Sequence, residues 1–382
     1  MLRIAVLAPP PLSKDGISSH TERLVEEWEA AGHEVMWFWP SGLRYAALSR
    51  GAEHEGLDAE SRPGWTTTPR RLARGFKPNV AIVQFAVPAV RTALPSLIFM
   101  TRRLKMAGVP VVVCCHEASR ELTLLGPITR LIYRALRWAG SRFVVFSPAE
   151  QAVVTESGLL PSVSNVPLGI DETIVEEADV GRIKARYGLV EPTVLALGWI
   201  THSKGTDILL RAVQLMSEIG TEVQCVIAGE VRPRVGVFRP FGRADAQYVR
   251  ALRHDPAVQS GRARMIGYVP EDDVAPLIQA ATVLVLPYRS VTQSGIAARA
   301  LATRTAIVAS ALPGMTAQLG GAARYFRVGD AYDLAMTLRI VLDEDGCVRE
   351  ELESARRERA RMESYSRVAQ LLLDVGGVAS GS

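Results

Sequence analysis

"VLVLPYRSVTQSGIAARALATRTAIVAS" (283–310) reads in turn as strand, polar loop, helix and strand. Its two ends are short apolar runs rich in Val, Leu and Ile, bounded by turn residues and too short for globular helices. Between them, Thr292-Gln293-Ser294-Gly295 supplies small polar residues and a glycine where a helix begins. A strand–helix–strand unit of this size lays its strands parallel, with the helix across one face of the sheet. Arg299 is the anomaly, a cation within a helix otherwise built mostly from Ala, Leu, Thr and Ile.

The same alternation runs outward in both directions. Upstream, 193–200, 222–230 and 263–269 are strand-like, with helical patterns between them. The first half repeats the design with strand candidates at 3–9, 33–40, 79–87, 109–116 and 141–147, and an amphipathic helix at 18–32 that Gly32 ends. A polar, acidic stretch at 165–188 separates the two series. The reading is an α/β chain of two doubly wound domains, over 1–170 and 171–350. Residues 351–382 form a C-terminal helix, which either closes the second domain or packs back on the first, and a tail. Ligands of such sheets bind at the carboxyl ends of the strands.

Composition agrees with this. At 382 residues the chain exceeds one ordinary core, and 48% hydrophobic with 22% charged residues excludes a fibrous or disordered protein. Four cysteines, Cys114, Cys115, Cys225 and Cys347, show neither metal-ligand spacing nor a disulfide framework, which suits a reducing cytoplasm. The N-terminal apolar run is stopped by Pro9, Pro10 and Pro11. It is too short to span a membrane, lacks a small-residue cleavage site and reads as a first strand. The net charge of +4 is uneven: residues 1–170 hold 19 Lys and Arg against 14 Asp and Glu. A basic first half suits an anionic acceptor or membrane surface, and a solvated surface equally well. In 127–138, Arg130, Arg134 and Arg137 share one helical face. That pattern suits anionic lipid, but a solvated helix packed on the sheet is preferred and membrane binding is not expected.

Two strand ends in the second half are ready for an anion. "LGWITHSKGTDILLRA" (197–212) leaves a strand at Gly198 and opens a helix after Lys204-Gly205. Glycine lets backbone approach a ligand, and a helix start offers unpaired N–H groups. Lys204 adds a point charge suited to phosphate; the alternative is a surface lysine in a turn. Gln293, Ser294 and Gly295 repeat the arrangement. In the first half, "KDGISSHTERL" (14–24) places Gly16, Ile17 and Ser18 between strand and helix, either lining a ligand or with Ser18 or Ser19 capping the helix. His116 ends a strand, where both ligand contact and a structural role are open. "EDD" (271–273) reads as a helix start and "DED" (343–345) as a solvated turn, so no metal site is expected. No P-loop or dinucleotide fingerprint occurs, and no nucleic-acid partner is expected.

In order and spacing, "LGWITHSKGTDILLRA", "VIAGE", "MIGYVPEDDVAPLIQAATVLVLPY", "QSGIAARALATRTAIVAS" and "ALPGMTAQLG" resemble the nucleotide-sugar domain of the GT-B glycosyltransferases of retaining family 4. "DGISSHTERLVEEWEAAGHEV", the strand ending in His116, "FSPAEQAV" and "VPLGID" look like its acceptor-side domain and crossover. The resemblance implies a GT-B fold, two Rossmann-like domains facing a central cleft. It implies a retaining, metal-independent transferase that moves a sugar from a UDP- or GDP-sugar to a hydroxyl acceptor, with no cofactor beyond that co-substrate. Lys204 then supports the donor diphosphate, and the backbone near Val269 meets the base. Gly198, Gly229 and the 293–295 loop complete the donor site, while His116 lies near the transferred sugar and Gly16 near phosphate and acceptor.

Four positions depart from the family. Trp199 stands where an arginine is frequent, and Val291 and Arg299 stand where two glutamates eight apart are usual, the second holding the donor ribose. Thr282 also replaces a common aspartate. Either Arg299 reaches the diphosphate in place of the missing arginine, or the ribose contact is lost and donor binding with it. Rewiring is the preferred account. The alternative is a non-catalytic partner or regulatory protein. Arg232, Arg234, Arg239 and Arg243 offer a second basic stretch, equally readable as surface loop.

Overall fold

The computed structural model describes residues 1–9, 16–38, 75–90, 93–140, 142–171, 175–231, 239–343 and 346–378. It divides into two compact units: residues 1–169 with 363–382, and residues 170–362. Among the described residues each unit holds one six-stranded sheet, and every strand pairing in both is parallel.

The first sheet contains β1 (Arg3–Leu7), β2 (Glu34–Phe38), β3 (Val80–Phe85), β4 (Val111–Cys115), β5 (Arg142–Val145) and β6 (Ser164–Asn165). Their order is β2-β1-β3-β4-β5-β6. "VAIVQF" and "VVVCC" are apolar almost throughout and buried at every residue, as strands covered on both faces must be. On one face, Leu97, Met100 and Leu104 of helix Leu94–Met106 and Tyr133 and Leu136 of helix Pro127–Ala139 pack against alternate strand residues. On the other, Leu24, Val25 and Trp28 meet Val368, Ala369 and Leu372 of helix Tyr365–Gly376. The Trp28 indole N–H donates to the Ala369 carbonyl at 3.1 Å. Gly169 is where this closing helix demands a glycine, since a Cβ there would sit 2.4 Å from the Tyr365 ring.

The second sheet contains β7 (Thr193–Leu197), β8 (Gln224–Ala228), β9 (Ala263–Gly267), β10 (Val283–Leu286), β11 (Ala306–Ser310) and β12 (Arg324–Phe326), ordered β12-β11-β10-β7-β8-β9. The opening stretch forms β10, helix Gly295–Leu301 and β11, as its pattern predicts. Val283 pairs with Ala306 on one side and Val194 on the other, so β10 and β7 are neighbours although β8 and β9 separate them in sequence.

The differences from the sequence reading have simple causes. β6 and β12 are edge strands of two and three residues, too short to show a period. The expected strand at 79–87 stops at Phe85, and Val87–Val90 is a helical turn. A boundary at 350 falls inside the continuous helix Gly346–Met362, which belongs to the second unit. The chain returns to the first unit at 363, where Ser364 caps the next helix by accepting from the Arg367 N–H at 3.4 Å. Arg239 and Arg243 lie in helix Arg239–Arg253, while Arg232 and Arg234 fall outside the described residues. Among the described residues no helix is long and apolar enough to cross a membrane.

Candidate donor and acceptor sites

In the second sheet the strand order reverses at β7: β8 and β9 run to one side, β10, β11 and β12 to the other. A parallel sheet opens a crevice beyond the strand ends at such a reversal. A pocket lies there, walled by Gly198, Trp199, Lys204 and Thr206 after β7 and by Pro287 and Tyr288 after β10.

Two loops make this pocket, and backbone contact locks them together. The turn His202–Lys204 ends at Gly205, whose φ of +66° is left-handed. A Cβ on Gly205 would stand 1.9 Å from the Pro287 carbonyl oxygen, so only glycine lets the two loops approach this closely. The Arg289 N–H donates to the Ser203 carbonyl at 2.8 Å. Its guanidinium donates to the His202 carbonyl at 3.1 Å and to both Asp207 carboxylate oxygens at 2.7 and 2.6 Å. Burial alone would raise the Asp207 pKa, but the bonds from Arg289 and Tyr248 hold it below its ordinary value. Asp207 is therefore a carboxylate with its charge already answered, at the start of helix Thr206–Glu218.

Lys204 is left facing the pocket. Its ammonium lies 3.6 Å from the centroid of the Tyr288 ring, a cation–π contact that orients the charge without neutralising it. The Tyr288 hydroxyl is 3.3 Å from the Ser294 Oγ. Ser294 caps helix Gly295–Leu301 by accepting from the Ala297 N–H. Gln318 grips Ser294 from behind, accepting its N–H and donating to its carbonyl, both at 2.8 Å. Gly314 lets Gln318's helix, Pro313–Leu319, approach, because a Cβ there would lie 2.5 Å from the Thr292 carbonyl oxygen. Lys204, Tyr288 and Ser294 thus tie the two anion-ready loops together.

The other expected donor residues fall around this centre. Gly198 has φ +122° and Gly229 φ +148°, and a Cβ on Gly229 would strike the Gly198 carbonyl oxygen at 1.8 Å. Gly198 lines the pocket and Gly229 packs against its backbone, while the Gly229 N–H donates to the Gly267 carbonyl at 2.7 Å. Val269 is buried beyond β9. Gln293 and Gly295 flank the cap and stand, with Arg299, outside the pocket wall. The Arg299 guanidinium is ion-paired with Glu271, at the start of helix Glu271–Ala280. The sequence reading missed Tyr288, Arg289, Asp207, Tyr248 and Gln318. Each works through a partner distant in the chain, which residue type and local spacing do not display.

In the first unit, His116 follows β4 and is buried. Its Nε2 lies 2.7 Å from the Gln84 Oε1, its ring stacks on Phe146 at 4.6 Å, and the His20 ring stands edge-on at 5.6 Å. The His20 Nδ1 lies 3.3 Å from the Tyr365 hydroxyl. Burial lowers the His116 imidazole to about 3; burial and then the neighbouring His116 also hold His20 well below its ordinary value. Both rings are neutral near pH 7, so they act by hydrogen bonding and shape. Gly16, Ile17 and Ser18 open helix Gly16–Ala30; Ser18 is buried, and a Cβ on Gly16 would meet only open space. Residues 10–15 of that loop lie outside the described residues. Among the described residues no three His, Cys, Asp or Glu side chains converge to hold a metal.

Beneath these strand ends, the Glu121 carboxylate accepts from the Val87 N–H at 2.5 Å and the Tyr133 hydroxyl at 2.9 Å. Burial pushes its pKa up to about 8 despite both donors. The folded protein therefore holds this proton more tightly than the unfolded chain, whose carboxyl titrates near 4.5. The resulting stability is complete below that value and is lost as pH rises through about 8. Denaturant titrations at mildly acidic and mildly alkaline pH should show it. Glu121→Gln should lose less stability across that interval than the parent, by on the order of a few kcal/mol. Equal pH dependence in the two proteins would remove Glu121 as the source.

The fold is GT-B, with two Rossmann-like units. The family model "Glycosyltransferase Family 4" matches residues 14–173, and "Glycosyl transferases group 1" matches residues 191–344. The chain belongs to the family 4, group 1 glycosyltransferases. It is 30% identical over 213 residues to a D-inositol 3-phosphate glycosyltransferase from a Nocardioides species, an alignment covering 54% of this chain and 46% of the relative. The match thus spans under half of that relative's length. In structure it is similar to sucrose-phosphate synthase from Thermosynechococcus elongatus, with TM-score 0.74, 18% identity and 98% of each chain covered. It is also similar to Anabaena HepE solved with UDP and glucose, with TM-score 0.70, 12% identity and coverage of 98% of this chain and 99% of the other.

Proposed function

We propose that this chain is a retaining glycosyltransferase that moves a sugar from a UDP- or GDP-sugar to a hydroxyl acceptor without a metal ion. The observation that carries the reading is Lys204, held over Tyr288 at the switch point of the second sheet, while the Asp207 carboxylate at the start of the following helix is occupied by Arg289. A diphosphate beside Lys204 also lies at the start of helix Thr206–Glu218, where the helix dipole favours negative charge. In transfer, the bond from the sugar's anomeric carbon to the diphosphate oxygen breaks, and the acceptor oxygen bonds to that carbon on the same face. The acceptor proton passes to the departing phosphate oxygen. Lys204 and the helix start stabilise the charge that develops there, which is where such groups contribute most. The UDP and glucose held by the Anabaena protein support a nucleotide-sugar donor.

Arg299 enters this scheme by exchanging partners. Its pair with Glu271 is weak by kind, since the Glu271 side chain is 60% exposed and such surface pairs contribute about 0–1 kcal/mol. A diphosphate offers two or more charges in its place. Calorimetry with UDP, GDP and their sugars is the direct test, and binding of none of them defeats the proposal. Arg299→Glu is expected to weaken donor binding, while Glu271→Gln, which frees the guanidinium, is expected to leave it unchanged or tighter.

The second reading, a non-catalytic partner protein, is favoured by the same ion pair together with Trp199 and Val291. On that account Arg299→Glu restores donor binding. Sugar transfer or donor hydrolysis by the purified chain alone excludes it.

A further inference from the structure

The first unit carries a surface that the packing of the fold leaves exposed. Helix Pro127–Ala139 buries Thr129, Tyr133, Leu136 and Ala139 against the sheet, so it is packed as the sequence reading preferred. Packing nevertheless leaves its apolar side chains bare: Leu131 is 69% exposed, Ile128 60% and Trp138 58%. At helical spacing these three form one stripe, and Arg130, Arg134 and Arg137 form the stripe beside it. Neighbouring helix Leu94–Met106 turns Phe99, Arg102, Arg103 and Met106 outward, with Phe99 49% and Met106 67% exposed. The two faces are continuous. The Arg102 guanidinium lies 4.6 Å from the Trp138 ring and donates to the Trp138 carbonyl at 3.2 Å, and Lys105 donates to the Gly140 carbonyl at 2.6 Å.

Charge selects the occupant. These two helices contain Arg102, Arg103, Lys105, Arg130, Arg134 and Arg137 and no Asp or Glu. Among the described residues, Arg103, Arg130, Arg134 and Arg137 have no carboxylate partner. Exposed Ile, Leu, Phe and Met beside a Trp ring, bordered by long cations, match the layering of a lipid interface: acyl chains, then headgroups, then phosphate. A second copy would set this uniformly basic face against itself, which like charges oppose.

We propose that this face, built from helices Leu94–Met106 and Pro127–Ala139, docks the protein on an anionic membrane surface. Trp138, Ile128 and Leu131 enter the headgroup boundary while the arginines hold lipid phosphates. The inference stands independently of the transfer reaction.

The test is flotation of the full chain with vesicles of mixed phosphatidylglycerol and phosphatidylcholine, and with phosphatidylcholine vesicles alone. Partitioning to the anionic vesicles, falling with added salt, is expected. Each arginine near such a surface contributes about fivefold, so Arg130→Glu with Arg134→Glu should reduce partitioning by well over tenfold. Leu131→Glu should reduce it as well. All three side chains are exposed, so the thermal transition of each variant should match that of the parent. The proposal is overturned by no partitioning to anionic vesicles, by equal partitioning to neutral ones, or by variants that partition like the parent. It is also overturned if sedimentation shows a dimer that Leu131→Glu dissociates, since the face would then belong to a second copy.

Discussion

Lys204→Ala is expected to weaken nucleoside-diphosphate binding by roughly 10- to 100-fold, the worth of a hydrogen bond to a charged group. The effect should be concentrated on the diphosphate, with a nucleoside monophosphate losing much less. Lys204 sits on a short turn held by its neighbours' bonds: Arg289 to Ser203 and His202, and Gly205 against Pro287. None of these uses the ammonium, so the fold should survive its removal and the variant should unfold like the parent. Lys204→Arg offers a sharper control. It keeps the charge, but a wider guanidinium must fit over Tyr288, and partial recovery would show that charge and position both count. Calorimetric titration of the three proteins with UDP and GDP reads the outcome. Unchanged affinity in Lys204→Ala would place the donor elsewhere.

Gly205→Ala should cost the second unit much of its stability. Two penalties coincide there: a left-handed φ of +66° and a Cβ 1.9 Å from a backbone oxygen. The obstructing atom is main chain, so it cannot rotate away, and the two loops must part. A loss of roughly 3 kcal/mol or more is expected. Gly295→Ala is the matched control, since a Cβ on Gly295 meets nothing and its φ is ordinary. Denaturant titration should show the first variant unfolding early and the second like the parent. Similar stability in both would mean that the two loops are not locked at this point.

The architecture was legible because parallel strands buried on both faces spell themselves out. "VAIVQF", "VVVCC" and "VLVL" need no alternation to be recognised. The edge strands at 164–165 and 324–326 were not legible, since their pairing comes from neighbours and not from their own composition. The candidate site divides in the same way. Lys204, Gly198 and the 293–295 loop could be named because each announces itself at a strand end. Arg289 looked like any surface arginine until its carboxylate appeared 82 positions away. Gln318, 24 positions beyond Ser294, was hidden in the same manner. Arg299 could be singled out but not interpreted, because its partner Glu271 read only as a helix start.

The return of the chain to its first unit at residue 363 bears on how the molecule comes off the ribosome. The second unit is one uninterrupted segment and can close as soon as Met362 has emerged. The first unit is made earlier but must wait. Its sheet has one face finished and the other open until Val368, Ala369 and Leu372 arrive to cover Leu24 and Trp28. The part synthesised first is therefore the part whose sheet is covered last.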